Sequence, residues 1–289
     1  MTSNNPNLQQ HAAKLDAIER NAPEYLKMAI KVAREPGASN WVSARPLHAH
    51  STVLHKGEFR DAIFLRYGWE PSGLPDKCSC GAPFNSTHAM ECLRGGYRGL
   101  LHNEVVNVFY NTVKEAGDKD VETEPNLQPL TGETFKFKTT NTDDEARSDL
   151  QVRGFWRHMR RAFFDVTAFS PFARSYRTNS LQQTYAIHEN RKNREYKQRI
   201  LQVEHADFTP LVFSITGSMG PQAVAVVKRL GKKIASRTNE EFSVVMGWLR
   251  CRLSFAVLRC TLILLRGSRP LRQREENIEL AVAEAHIEH

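Results

Sequence analysis

Several classes of protein are excluded by what this chain of 289 residues lacks. No apolar run is long and clean enough for a membrane span. The most hydrophobic stretch, FSVVMGWLRCRLSFAVLRCTLILL, is interrupted by Arg250, Arg252 and Arg259, each costly in lipid. It reads as a buried helix, and no membrane partner is expected. The opening MTSNNPNLQQHAAKLDAIER has neither the apolar core of a signal peptide nor the acid-poor pattern of a transit peptide. Cysteine is scarce: there are five, with three crowded between Cys78 and Cys92, poor material for a secreted disulfide scaffold. A reducing intracellular compartment, nuclear or cytoplasmic, is the expectation. Acid is in deficit, with 32 Asp and Glu against 40 Lys and Arg and a net charge of +8. That balance favours a polyanionic partner, DNA first and RNA second, without proving one.

Periodicity sketches the organisation. Leu15, Ile18, Tyr25, Leu26, Ala29, Ile30 and Ala33 recur at helical spacing, predicting one amphipathic helix over residues 8–34 that ends at Pro36-Gly37. Residues 37–77, punctuated by Pro46, Pro71 and Pro75, read as a connector. A helix over LLHNEVVNVFYNTVKEAG precedes three short strands in VETEP, RSDLQV and RAFFDVTAF, the first two separated by the acidic loop NTDDEA. A capping box at Ser180 and Gln183 opens a long polar helix. The strand PLVFSI and two further helices follow, the second opened by a Thr238 to Glu241 capping box. A charged tail, 270–289, contains the helix-capable NIELAVAEA. Strands and helices in this order predict a mixed sheet flanked by helices.

Two constellations carry chemistry. Cys78, Cys80, His88 and Cys92 supply three thiolates and an imidazole in a short loop, a donor set that suits tetrahedral zinc in a structural role. Free, partly buried cysteines are the competing reading, because the single residue between Cys78 and Cys80 is tighter than usual. Cys251 and Cys260 read as packing residues. The second constellation is Asp149 and Asp165 on adjacent strands, which together could hold magnesium or manganese, with Glu104 from the preceding helix and Lys192 from the following one. The turn between those strands carries Arg153, Arg157, His158, Arg160 and Arg161 around Phe155 and Trp156. It is expected beside the carboxylates as a phosphate-contacting element, or else as a solvated hairpin tip.

The succession CSC(x7)H(x3)C, LLHNEVV, Arg147-Ser148-Asp149, FFDVT and then Lys192 four residues before Tyr196 resembles the restriction-like endonuclease of site-specific non-LTR retrotransposons. The likeness covers roughly residues 78–213, and residues 37–76 are more weakly similar to the segment that links the polymerase of such elements to their zinc knuckle. In that family a PD-(D/E)XK-type nuclease nicks target DNA to prime reverse transcription. The resemblance implies that His102 and Asn103 match a helix motif, that Asp149 and Asp165 match the metal-binding strand carboxylates, and that Lys192 matches the helix lysine. Ser148 stands where the family has Pro, Leu101 where a basic residue precedes the His, and Thr167 where the common motif has Lys. No Tyr-x-Asp-Asp polymerase motif is present, so an element fragment without its polymerase is expected.

The organisation implied is an N-terminal helix (1–36), a connector (37–77), a zinc knuckle (78–97), a restriction-endonuclease-like α/β domain (98–269) and a charged tail (270–289). The implied activity is magnesium- or manganese-dependent DNA nicking. In it Asp149 and Asp165 bind metal, Lys192 positions water, Glu104 and His102 shape the site, and Arg153, Arg157, Arg160 and Arg161 bind nucleic acid. A catalytically inactive nucleic-acid-binding relic and a protein-interaction scaffold are the alternatives.

Overall fold

The computed structural model describes residues 6–128, 147–176 and 178–267. The expected acidic loop at 141–146 and the tail 270–289 lie outside the described residues. Within them the chain forms a four-stranded mixed sheet flanked by helices, the class that its alternating periods imply.

Strands β1 (Val121–Thr123), β2 (Leu150–Arg153), β3 (Arg161–Phe169) and β4 (Asp207–Ser214) lie in that spatial order. β1–β2 and β2–β3 are antiparallel, while β3–β4 is parallel. A parallel neighbour needs a long crossover. Helix α7 (Leu181–Lys192), a π turn (Asn193–Lys197) and α8 (Gln198–Gln202) supply it. The capping box at the start of α7 forms as its sequence predicts, Gln183 N–H donating to Ser180 Oγ and Ser180 N–H to Gln183 Oε1. β3 is covered on both faces. Ala162, Phe164 and Val166 join the main core, whereas Phe163 packs with Ile200 and Phe208, and Phe169 with Tyr185. Pro210 lies in β4, tolerable because β4 has a neighbour on one side only.

Helix α6 (Tyr97–Glu115) buries Leu101, Val105, Phe109 and Val113 against the sheet, together with α9 (Pro221–Thr238) and α10 (Phe242–Arg266). α9 and α10 approach closely at Gly231, where a Cβ would sit 2.6 Å from Met246 Sδ. Three expectations change. Residues 8–34 form two helices, α1 (Pro6–Asn21) and α2 (Glu24–Ala33), because Pro23 lacks an N–H and disfavours helical backbone before it. The Thr238 to Glu241 capping box does not form. α9 continues to Thr238, whose hydroxyl donates back to the Ile234 carbonyl at 2.9 Å, and α10 starts only at Phe242 with no side-chain cap. The 37–77 connector carries α3 (Asn40–Ser43) and α4 (Lys56–Arg66), and its Trp41 and Ala62 bury against Phe255, Leu258 and Leu262 of α10.

An ion pair fastens that segment. Arg266 at the end of α10 donates to both oxygens of Asp61 at 2.6 and 2.9 Å and to the Gly73 and Ser72 carbonyls. Burial raises the Asp61 pKa, but its bonds to Arg266 and Arg60 outweigh this and hold it below its ordinary value. Arg266→Ala is expected to cost about 3 kcal/mol, because it leaves a buried carboxylate with Arg60 alone. Denaturant unfolding checks this, and a loss below about 1 kcal/mol would show that water replaces the guanidinium freely.

Candidate active site and metal centre

The start of β2 creates the site. Backbone pairing with β3 ends at Leu150–Phe164, and side chains replace it beyond that point. Ser148 Oγ donates to the Phe164 carbonyl at 2.8 Å, and Val166 N–H donates to Asp149 Oδ2 at 2.5 Å. Asp149 is thereby pinned across the sheet margin, and its Oδ1 lies 3.1 Å from His102 Nε2 of α6. Asp165, one residue beyond Phe164, points to the opposite face of β3 from the main core. There Lys192, the last residue of α7, brings Nζ to 2.8 Å from Asp165 Oδ2. The contact is ionic and off the hydrogen-bonding direction. That oxygen is buried and receives no aligned donor among the described residues.

Burial, followed by the charge of Asp149, pushes the Asp165 carboxyl up to about 7, against the pull of Lys192 and His102. Burial alone would lower the pKa of His102. The hydrogen bond and charge of Asp149 outweigh it and hold the imidazole above its ordinary value. Two carboxyls that repel one another, one of them buried beside a lysine, suit a hard divalent cation with oxygen ligands. Tyr196, in the π turn beyond Lys192, walls the site. Lys192 Nζ lies 5.2 Å from its ring centre, and burial, then Asp165, raises its phenol pKa. π turns concentrate at functional sites. Nothing in composition or periodicity marks that turn, or the bond from Ser148.

Asp149, Asp165, His102 and Lys192 therefore come together, but two expectations do not hold. Glu104 is two residues from His102, about 200° around the helix. It lies on the α10 side of α6, where after burial its charge helps to raise the Cys260 thiol to about 12. The basic turn is not beside the carboxylates. Arg153 pairs with Arg161 at the far end of the hairpin, four residues or about 13 Å along β3 from Asp165. Three of its arginines also have acidic partners: Arg153 with Asp120 at 3.7 Å, Arg160 with Asp207 at 3.2 Å and Arg161 with Glu204 at 3.3 Å. Arg157 is exposed.

The cysteine cluster is built locally. Asp76 to Phe84 fold back as a tight turn, Cys78 N–H donating to the Ala82 carbonyl and Phe84 N–H to Asp76, with Gly81 at φ +90°. Asn85 caps the short helix α5 (Ser86–Glu91), which carries His88 and ends at Cys92. All four donor atoms lie within 4.8 Å of one another; the Cys78–Cys92 sulfurs are 3.7 Å apart, and Cys80 Sγ is 3.4 Å from His88 Nε2. Tetrahedral zinc with bonds of about 2.3 Å to sulfur and 2.0 Å to nitrogen sets donors roughly 3.5 to 3.8 Å apart. The residues fit, and the cluster could hold a metal ion such as zinc.

His188 is a buried histidine outside both centres. It stacks on Phe169 at 4.7 Å, and neither ring nitrogen has a hydrogen-bond partner among the described residues. Burial, then Arg191 and Lys192, lowers its pKa to about 4. Because protonation is easier in the unfolded chain, near 6.5, this group contributes stability above that pH that is lost as pH falls towards 4. Melting temperature should therefore drop between pH 6.5 and 4, and less steeply in His188→Phe; equal slopes would remove His188 as the cause. No helix among the described residues is long and apolar enough to cross a membrane. No protein-family model matches the chain, and no curated protein matches it.

Proposed function

We propose that the chain is a metal-dependent DNA endonuclease with a restriction-endonuclease-like core and a structural zinc knuckle, related to the target-nicking nuclease of non-LTR retrotransposons. The observation that carries this reading is the meeting of Asp149, which immediately precedes β2, with Asp165 of β3 and Lys192 of α7. A hairpin and the helix that follows it contribute, and each side chain is of the type that phosphodiester hydrolysis requires.

Asp149 and Asp165 would hold a divalent cation, which when bound supplies a Lewis acid against the scissile phosphate. Lys192 stands beside Asp165, placed to orient the attacking water and to offset charge gathering on the phosphoryl oxygens. His102 and Val166 N–H fix the rotamer of Asp149. Water adds to phosphorus and gives up a proton to solvent, one P–O ester bond breaks, and the leaving alkoxide takes a proton from solvent, so that one water is added across the ester. The knuckle's four donors would fill a tetrahedral zinc, and the cluster joins the main core through Cys78, Phe84, Ala89 and Cys92, which supports a structural role.

The test is nicking of supercoiled plasmid by the zinc-loaded chain in magnesium or manganese. Conversion to the open-circular form that stops in EDTA is expected. The ion pair between Lys192 and Asp165 favours a second reading, a non-catalytic relic whose lysine has taken the place of the cation. Folded protein that binds nucleic acid in a salt-sensitive way yet gives no nicked product in either metal would favour that reading, a nucleic-acid-binding relic, instead.

A further inference from the structure

A wide cleft among the described residues lies away from these carboxylates. It encloses about 1140 Å³ between α2, α4 and the 170–182 segment that leads into α7. Four Lys or Arg side chains line it against two Glu; of the basic four, Lys31 and Arg34 pair with Glu19 at 3.8 and 3.0 Å, Arg34 also with Asp16 at 3.8 Å, and Arg66 donates to Ser39 Oγ. Of the two acids, Glu35 is occupied internally: its Oε2 accepts from Tyr185 Oη at 3.0 Å and Ser218 Oγ at 2.6 Å.

Three features of the cleft point to a ligand. Trp69 stands on its wall and is 48% exposed. It is held rigidly, since α4 ends in a Schellman motif with Gly68 at φ +66°, where Trp69 N–H donates to the Phe64 carbonyl at 2.8 Å and Gly68 N–H to Leu65 at 3.2 Å. Tyr67, outside the cleft lining, stacks on the Trp69 ring at 5.0 Å and backs it. Ser170, only 7% exposed, lines the cleft, and its hydroxyl has no hydrogen-bond partner among the described residues. Leu181 and Gln182, also in the lining, open α7, so their N–H groups have no acceptor within the helix and carry its positive pole.

An aromatic platform stacks on flat rings, whereas the helix start, Arg66 and the orphaned hydroxyl suit phosphate. A single strand of nucleic acid supplies both, and its unstacked bases leave a face for Trp69; in a duplex those faces are hidden. We propose that this cleft binds single-stranded nucleic acid, with a base on Trp69 and a phosphate at the N-terminal end of α7. Lys192 lies at the other end of the same helix, about 16 Å away, so a strand of a few nucleotides would span the cleft and the carboxylates. The proposal does not depend on cleavage.

The experiment is a fluorescence-anisotropy titration of a labelled twelve-nucleotide oligothymidine at low salt, without added magnesium or manganese, on the zinc-loaded full chain and its Trp69→Ala, Trp69→Phe and Lys232→Ala variants. Trp69→Ala is expected to bind at least about tenfold more weakly, Trp69→Phe within about threefold of the parent, and Lys232→Ala, exposed on α9 and outside the cleft, unchanged. The duplex of the same sequence should compete poorly. Equal binding by parent and Trp69→Ala, weakening confined to Lys232→Ala, preference for duplex, or no binding would each overturn the proposal. Because no magnesium or manganese is present to support cleavage, strand binding without plasmid nicking in the separate metal-containing assay would refute the nuclease alone, and nicking with unaltered Trp69→Ala binding would refute the cleft alone.

Discussion

Asp165→Asn is expected to reduce plasmid nicking by at least about a thousandfold while leaving the protein folded, with a melting temperature within a few degrees of the parent. The amide keeps the shape of the side chain but cannot supply an anionic oxygen to a cation. Two effects on stability oppose each other. The substitution removes a carboxylate that burial and Asp149 disfavour, and it deprives Lys192 of its 2.8 Å partner, with Glu195 remaining at 3.8 Å. The pH dependence separates them. A carboxyl raised to about 7 when folded, from the ordinary value near 3.8, contributes stability that is full below pH 3.8 and lost as pH rises through 7. Metal-free parent protein should therefore lose stability between pH 4 and 7 relative to Asp165→Asn, opposite in direction to the effect of His188. Cation affinity should rise over the same range as the proton is displaced. If Asp165→Asn keeps more than a tenth of parental nicking, Asp165 is not a metal-binding carboxylate of the nuclease.

What the sequence disclosed depended on how far apart the cooperating residues lie. The cysteine cluster was readable because its four donors fall between Cys78 and Cys92, and Asn85 and Gly81 supply the cap and turn that bring them together. The sheet with flanking helices followed from periodicity, as did the Ser180 cap. The approach of Asp149 to Asp165 was anticipated from adjacent strands, but Lys192 became persuasive only through resemblance, since a lone helix lysine is usually a solvated one. Register defeated the expectation for the basic turn. A hairpin loop and the opposite end of the same strand are close in sequence yet separated by the strand's length. Helical phase removed Glu104, because two residues along α6 reverse the face presented. The bond from Ser218 to Glu35 joins residues 183 apart, and no local pattern announces such a contact. The same holds for the Arg266 clamp on Asp61, which turned an expected connector into part of the core.

Removal of metal from the cysteine cluster is expected to lower the melting temperature by about 10 °C or more, with one zinc released per chain. The reason lies in where the cluster packs. Cys78 and Cys92 are buried, and with Phe84, Ala89 and Met90 they belong to the same apolar core as Leu101, Val105 and Leu264. Losing the metal therefore loosens a wall shared with α6 and α10. Structural zinc is worth about 10 to 16 kcal/mol in isolated zinc-finger peptides, where it accounts for the whole fold. Here the sheet has its own core, so a loss of about 4 kcal/mol is more apt, and for a chain of this size that corresponds to roughly 8 to 16 °C. Cys92→Ser should reproduce it, since a buried hydroxyl would replace a thiolate of the metal-binding set. Cobalt in place of zinc should give the visible absorption of a tetrahedral thiolate site, which that variant loses. A protein that purifies without metal and melts identically with and without added zinc would make these residues a packed cysteine cluster, and the fold would then owe nothing to a metal there.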